Sequence, residues 1–139
     1  MNPKYESHTC LLRKALIGNA LFSTLSGLTI LFAQRWVLRI LGLSSSVNLL
    51  ILGVGLIVFA VTLIINARKQ QVKKSDAWIA VLMDLAWVVG SCVLILVVPF
   101  SMGGRWVVAL VAELVLVFAV LQFVGIRRIQ KSGLLQQSS

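Results

Sequence analysis

A chain of 139 residues that is 59% hydrophobic and 12% charged holds more apolar side chain than a water-soluble core of that size can bury. It leaves room for four membrane spans, short connections and two tails, and for no separate soluble domain. The net charge of +9 would mark a nucleic-acid binder in a soluble protein, but here the charges flank apolar runs, where they act as topology signals.

Four runs reach the ~20 residues that a helix needs to cross the hydrocarbon core: Ala15–Gln34, Ile40–Ala67, Ala77–Gly104 and Trp106–Ile126. Only Asp84 and Glu113 interrupt their neutrality. The sequence therefore predicts an all-α polytopic membrane protein, a four-transmembrane-helix bundle over residues 13–128, with cytoplasmic tails at 1–12 and 129–139.

Residues 1–12 read as a short polar tail. The first span follows, from Arg13 to Ala33. It is longer than the apolar stretch of a signal peptide and is followed by no Ala-x-Ala site, so it reads as an anchor. In Gln34–Ser46, Trp36, Val37, Ile40 and Leu41 recur at helical spacing, with Arg35 and Arg39 on another face. That pattern predicts a short helix lying in the outer interface with Trp36 as its anchor. Ser44-Ser45-Ser46 offers capping groups for the second span, Val47–Ala67. Gln70–Ser75 reads as a polar turn, and the third span runs to about Val98. Pro99 and Met102-Gly103-Gly104 read as the next turn, and the fourth span runs from Trp106 to Ile126. The segment Ser132–Ser139 reads as frayed.

Of the 13 Lys and Arg residues, all but Arg35, Arg39 and Arg105 fall on one side of a four-span topology. Cationic loops stay cytoplasmic, so both termini are expected inside. Short loops and the lack of Asn-x-Ser/Thr sequons suit a bacterial inner membrane. The basic fringe is expected to meet anionic lipid headgroups, and no nucleic-acid partner is expected.

The two halves share a pattern. Arg35-Trp36-Val37 recurs as Arg105-Trp106-Val107, and Val58-Phe59-Ala60-Val61 as Val117-Phe118-Ala119-Val120. Asn19-x-x-Phe22 parallels Asp84-x-x-Trp87. Two repeated helical hairpins would be related by an axis along the membrane normal.

Ionisable groups inside a span are costly and mark candidate sites. At 1.5 Å per residue, Asp84 lies about 12 Å from the cytoplasmic end of its span and Glu113 about 12 Å from the outer end of its own. No basic residue shares either depth. Asn19 and Thr62 are level with Asp84 and are its expected partners. Asn19, Ser23 and Ser26 make one polar stripe; Asn48, Gly55, Phe59, Thr62 and Asn66 make a second; Ala77, Asp84 and Ser91 make a third. Glu113 is level with Gly27, Gly55, Gly90 and Ser91. Gln122 is level with Asp84 but nine residues from Glu113, so the two point to opposite sides of one helix and cannot both face the bundle centre. The candidate polar site is thus Asp84, Glu113, Asn19, Thr62 and Ser91.

Other chemistries lack their residues. His8 is the single histidine, and Cys10 and Cys92 lie in different segments. Metal, haem and paired-cysteine sites, including that of a quinone-linked thiol oxidase, are therefore not expected. No phosphate loop, nucleophile elbow or His-Glu-x-x-His occurs. No cofactor and no enzymatic activity are expected.

Asp84-Leu-Ala-Trp87-Val-Val-Gly90-Ser91, Gly104-Arg105-Trp106 and Gly125-Ile-Arg127-Arg128 resemble segments of small bacterial four-span inner-membrane proteins of unassigned function. The resemblance covers residues 13–128 and implies a fold without an activity. In size and span count the chain is also similar to small multidrug transporters. Those carry an essential Glu in the first span, where this chain has Asn19 and no acid. Two functions are expected: a structural, regulatory or accessory membrane protein or subunit, or a small oligomeric transporter or channel-like carrier using Glu113 or Asp84 as a protonatable site.

Overall fold

A computed structural model describes residues 3–69 and 74–137, which form five helices: α1 Pro3–Phe32, α2 Gln34–Leu41, α3 Val47–Arg68, α4 Lys74–Val97 and α5 Met102–Gln137. Four carry stretches long and apolar enough to span a membrane: Cys10–Phe32, Asn48–Arg68, Ser75–Val97 and Met102–Lys131. The protein is an all-α, multi-pass membrane bundle. Leu21, Leu25, Val58, Leu82, Leu96 and Leu110 point outward and keep its surface apolar.

Two helices run past their apolar windows. α1 begins at Pro3, where the absent N–H costs nothing in a first turn, so residues expected as tail are helical. α5 takes in Met102-Gly103-Gly104, expected as a turn, and continues to Gln137 through residues expected to fray. Its early start has a local cause. Ser101 caps the helix, its Oγ accepting the Gly104 N–H at 2.9 Å. The turn at 70–73 and Ser138-Ser139 lie outside the described residues.

The connection between α1 and α3 forms the short helix that its periodicity predicts. Trp36 is two-thirds exposed, with the Arg39 guanidinium 5.3 Å from its ring centre. α2 ends on Gly42 in the left-handed conformation (φ 72°). Its last carbonyls are taken by Ser101, whose N–H donates to Leu41 O at 3.0 Å and whose hydroxyl donates to Ile40 O. The serine run does not act as expected: no side-chain bond caps α3, and the Ser46 carbonyl accepts from Gln34 Nε2 instead.

Packing follows the small residues. Gly27 on α1 lies against Gly53 on α3, and Ala20 on α1 and Ala60 and Ala67 on α3 are buried with them. A Cβ at Gly27 would lie 3.0 Å from the Gly53 carbonyl oxygen, so only glycine allows this approach. α1 packs on α5 in the same way, with Gly125 against Leu12 and Gly18 against Phe118. α4 packs on α5 through Ala77, Ala80 and Val81, with Trp78 edge-on to Phe123 at 5.7 Å. α3 and α4 scarcely touch. The helices therefore stand in the order α3–α1–α5–α4, open between the first and the last.

This arrangement rotates α3 from its expected setting. Its buried face is Leu49, Gly53, Ala60, Leu63 and Ala67, while Asn48 and Thr62 are exposed. Lying flush on α1 uses the face of Gly53, Ala60 and Ala67; the polar stripe repeats at the same seven-residue spacing but lies on another face of the helix.

Candidate functional site

Asp84 sits at the centre of the bundle, 1% exposed. Its Oδ2 accepts two amide bonds, from Asn19 Nδ2 on α1 at 2.7 Å and from Gln122 Nε2 on α5 at 2.9 Å. Ser23 Oγ donates a long bond to Asn19 Oδ1 at 3.4 Å. Three helices are tied at one carboxyl oxygen. Asn19 and Asp84 occupy matched positions of the two hairpins, so the shared pattern meets itself at this contact. The matched segments Val58–Val61 and Val117–Val120 also repeat each other's burial, with Ala60 and Ala119 inward and the valines outward.

The expected partners divide. Asn19 meets Asp84. Thr62 does not: it is exposed, and its hydroxyl donates to Val58 O of its own helix at 3.0 Å. Ser91 is buried two turns further along α4. Glu113 is exposed on the outside of α5, away from this contact. Gln122 is the partner that the depth comparison left undecided. The signal that places it inward is the set Ala112, Val115, Ala119 and Ile126, which shares its face at heptad spacing and is buried with it.

Asp84 also lines a cavity of about 300 Å³ that extends from its level toward the α2 end of the bundle. Asn19 and Asp84 make the floor, and Ser23 and Ser26 one polar edge. Phe22, Phe59 and Trp87 supply aromatic walls. Gly55 and Met83 are both lining and exposed, so the cavity opens sideways between α3 and α4. Among the described residues, no Lys, Arg or His lines it. The Trp87 indole nitrogen is buried without an acceptor, and Gln122 Oε1 is buried without a donor.

The matched positions differ between the two interfaces. Gly18 and Gly125 let α1 and α5 close on each other. Their counterparts are Met83 on α4 and Asn66 on α3, whose side chains stand where the glycines leave none. A Cβ added at Gly55, at the cavity mouth, would meet nothing within 4 Å.

Chemically, the floor is a carboxyl oxygen already held by two donors, with the other oxygen free of any described bond. The wall around it is largely apolar, and the Trp87 indole N–H is buried behind that wall without an acceptor. No protein-family model matches the chain, and neither the curated proteins nor the solved structures yield a match.

Proposed function

We propose that the chain is a non-enzymatic, multi-pass protein of a bacterial inner membrane, with both termini cytoplasmic, that binds a membrane-dissolved ligand at Asp84. In this reading it is a small carrier or ligand-binding subunit. The observation that carries it is the sideways-open cavity with the bundle's buried acid on its floor. Its volume lies at the lower end of small-molecule sites. Charge placement supports the orientation, and the resemblance to small bacterial four-span proteins supports the membrane.

The test uses Trp87 as a reporter. In a protein with Trp36, Trp78 and Trp106 replaced by Phe, held in lipid nanodiscs, 1-bromooctane should quench Trp87 saturably and without shortening its lifetime. Gly55→Phe should fill the void and leave only collisional quenching. Purely collisional quenching in both proteins would remove the discrete site.

A second reading, an accessory subunit of a larger complex or a homo-oligomer, rests on a different observation. Glu113 stands exposed on the outer face of α5 within the apolar window. An acid facing lipid is costly, and a partner helix would cover it. Cross-linking from a Cys at position 113, in a protein whose native cysteines are replaced by Ser, separates this reading from a monomer. An uncross-linked chain in its native membrane would count against it.

A further inference from the structure

We propose that the ligand of the Asp84 cavity is a membrane lipophile with a hydroxylated aromatic head, a phenol or hydroquinone, whose apolar tail leaves between α3 and α4. The proposal rests on the binding reading above and names the chemistry that the site would recognise.

Four observations converge on this class. Among the described residues the cavity has no basic lining residue, which disfavours an anionic head. Its floor presents Asp84, with Oδ2 occupied by Asn19 and Gln122 and with Oδ1 left as an acceptor for a ligand O–H. Trp87 lines the cavity, and its indole N–H is buried behind the lining with no acceptor in the protein. Leaving that donor unpaired is costly, and a turn of the ring toward the cavity would let a second ring oxygen satisfy it. An ammonium head would use the carboxyl and leave the indole unpaired; a plain hydrocarbon would use neither. Phe22 and Phe59 complete an aromatic lining that suits a ring rather than an alkyl chain.

Size and access fix the remainder. About 300 Å³ holds a substituted ring but not a long-chain lipid. The tail must therefore lie outside the cavity, and the one lateral exit described is the gap bordered by Gly55 and Met83. A head at the depth of Asp84 is far from the membrane surface. That depth suits weakly polar heads that dissolve in the bilayer interior, not a phosphate or sugar.

The probes are 2-decylhydroquinone, its dimethyl ether, decylbenzene and decyltrimethylammonium. Each is measured under argon as the amount retained on immobilised nanodiscs of phosphatidylcholine, corrected for empty nanodiscs. The hydroquinone should bind at least tenfold more tightly than the dimethyl ether, which keeps the oxygens but lacks the O–H. Asp84→Asn should reduce that ratio to below threefold, whereas Glu113→Gln, on the outer surface, should keep it. Gly55→Phe should abolish hydroquinone retention with the Asn19–Asp84–Gln122 contact intact, so the outcome does not hinge on how Asp84→Asn folds. Equal binding of hydroquinone and ether, survival of the preference in Asp84→Asn, or tighter binding of the ammonium probe would each overturn the ligand class and leave a binding site standing. If no probe is retained above empty nanodiscs and 1-bromooctane quenches only by collision, the binding reading falls with it.

Discussion

Replacing Asp84 by Leu removes the acceptor of two buried amides while keeping the branched outline of the side chain, and Asn, of nearly the same volume as Asp, is the isosteric control. In the native protein Asn19 Nδ2 and Gln122 Nε2 lie 2.7 and 2.9 Å from Asp84 Oδ2. Side-chain hydrogen bonds between membrane helices average ~0.6 kcal/mol and reach ~1.7 kcal/mol. Losing two gives an expected destabilisation of about 1–3 kcal/mol. Asp84→Asn keeps one oxygen in place for both donors and turns the new amide toward the cavity, so it should cost less than half as much. Unfolding in bicelles by added SDS, followed by helical circular dichroism, measures both. A double-mutant cycle with Asn19→Leu should return a coupling of about 0.6–1.7 kcal/mol for that one contact. An Asp84→Leu protein as stable as the native one, with no coupling in the cycle, would refute the view that this contact holds the hairpins together.

Gly104→Ala should destabilise by about 1–3 kcal/mol in the same assay, because its Cβ would lie 2.8 Å from Leu41 Cα and 2.9 Å from Leu41 O, backbone atoms that cannot step aside. Gly55→Ala faces open space and should instead stabilise by about 0.5–1 kcal/mol through helix propensity; a loss would mean that the void is not there. Alkaline phosphatase fused after Ser139 should stay inactive and a fusion at Ser45 should be active, and the reverse pattern would invert the orientation. A hydrophobic carbodiimide should modify Glu113 and fail to modify the Glu113→Gln variant, since this carboxyl stands exposed on α5; an unmodified native protein would mean that the face is covered.

The spans and the short α2 were legible because apolar run length and the spacing of Trp36, Ile40 and Leu41 are local properties of the chain. The Asn19–Asp84 contact was legible from depth alone. Rotation about the helix axis was not. In a bilayer the solvent is as apolar as the core, so leucines and valines surround α3 on every side and do not say which face turns inward. Thr62 was misplaced for that reason, and small residues, not polar ones, set the seam. Gln122 and Glu113 posed the same question on α5, and only the inward run of Ala112, Val115, Ala119 and Ile126 answers it. The cavity lies further out of reach, because it depends on how closely α3 approaches α4, and no local run of residues states that distance.

The three-helix contact at Asp84 also orders biogenesis. Asn19 precedes Asp84 by 65 residues, and Gln122 follows Asp84 by 38. At a synthesis rate of about 5–20 residues per second, the α1 amide waits roughly 3–13 s for its acceptor, and the α4 carboxyl a further 2–8 s for its second donor. Until then the first hairpin relies on its glycine–alanine seam, and among the described residues Ser23 on the same helix is bonded to Asn19. The contact closes only after the last helix has left the ribosome, so it serves as the final latch that sets the depth of one inserted hairpin against the other.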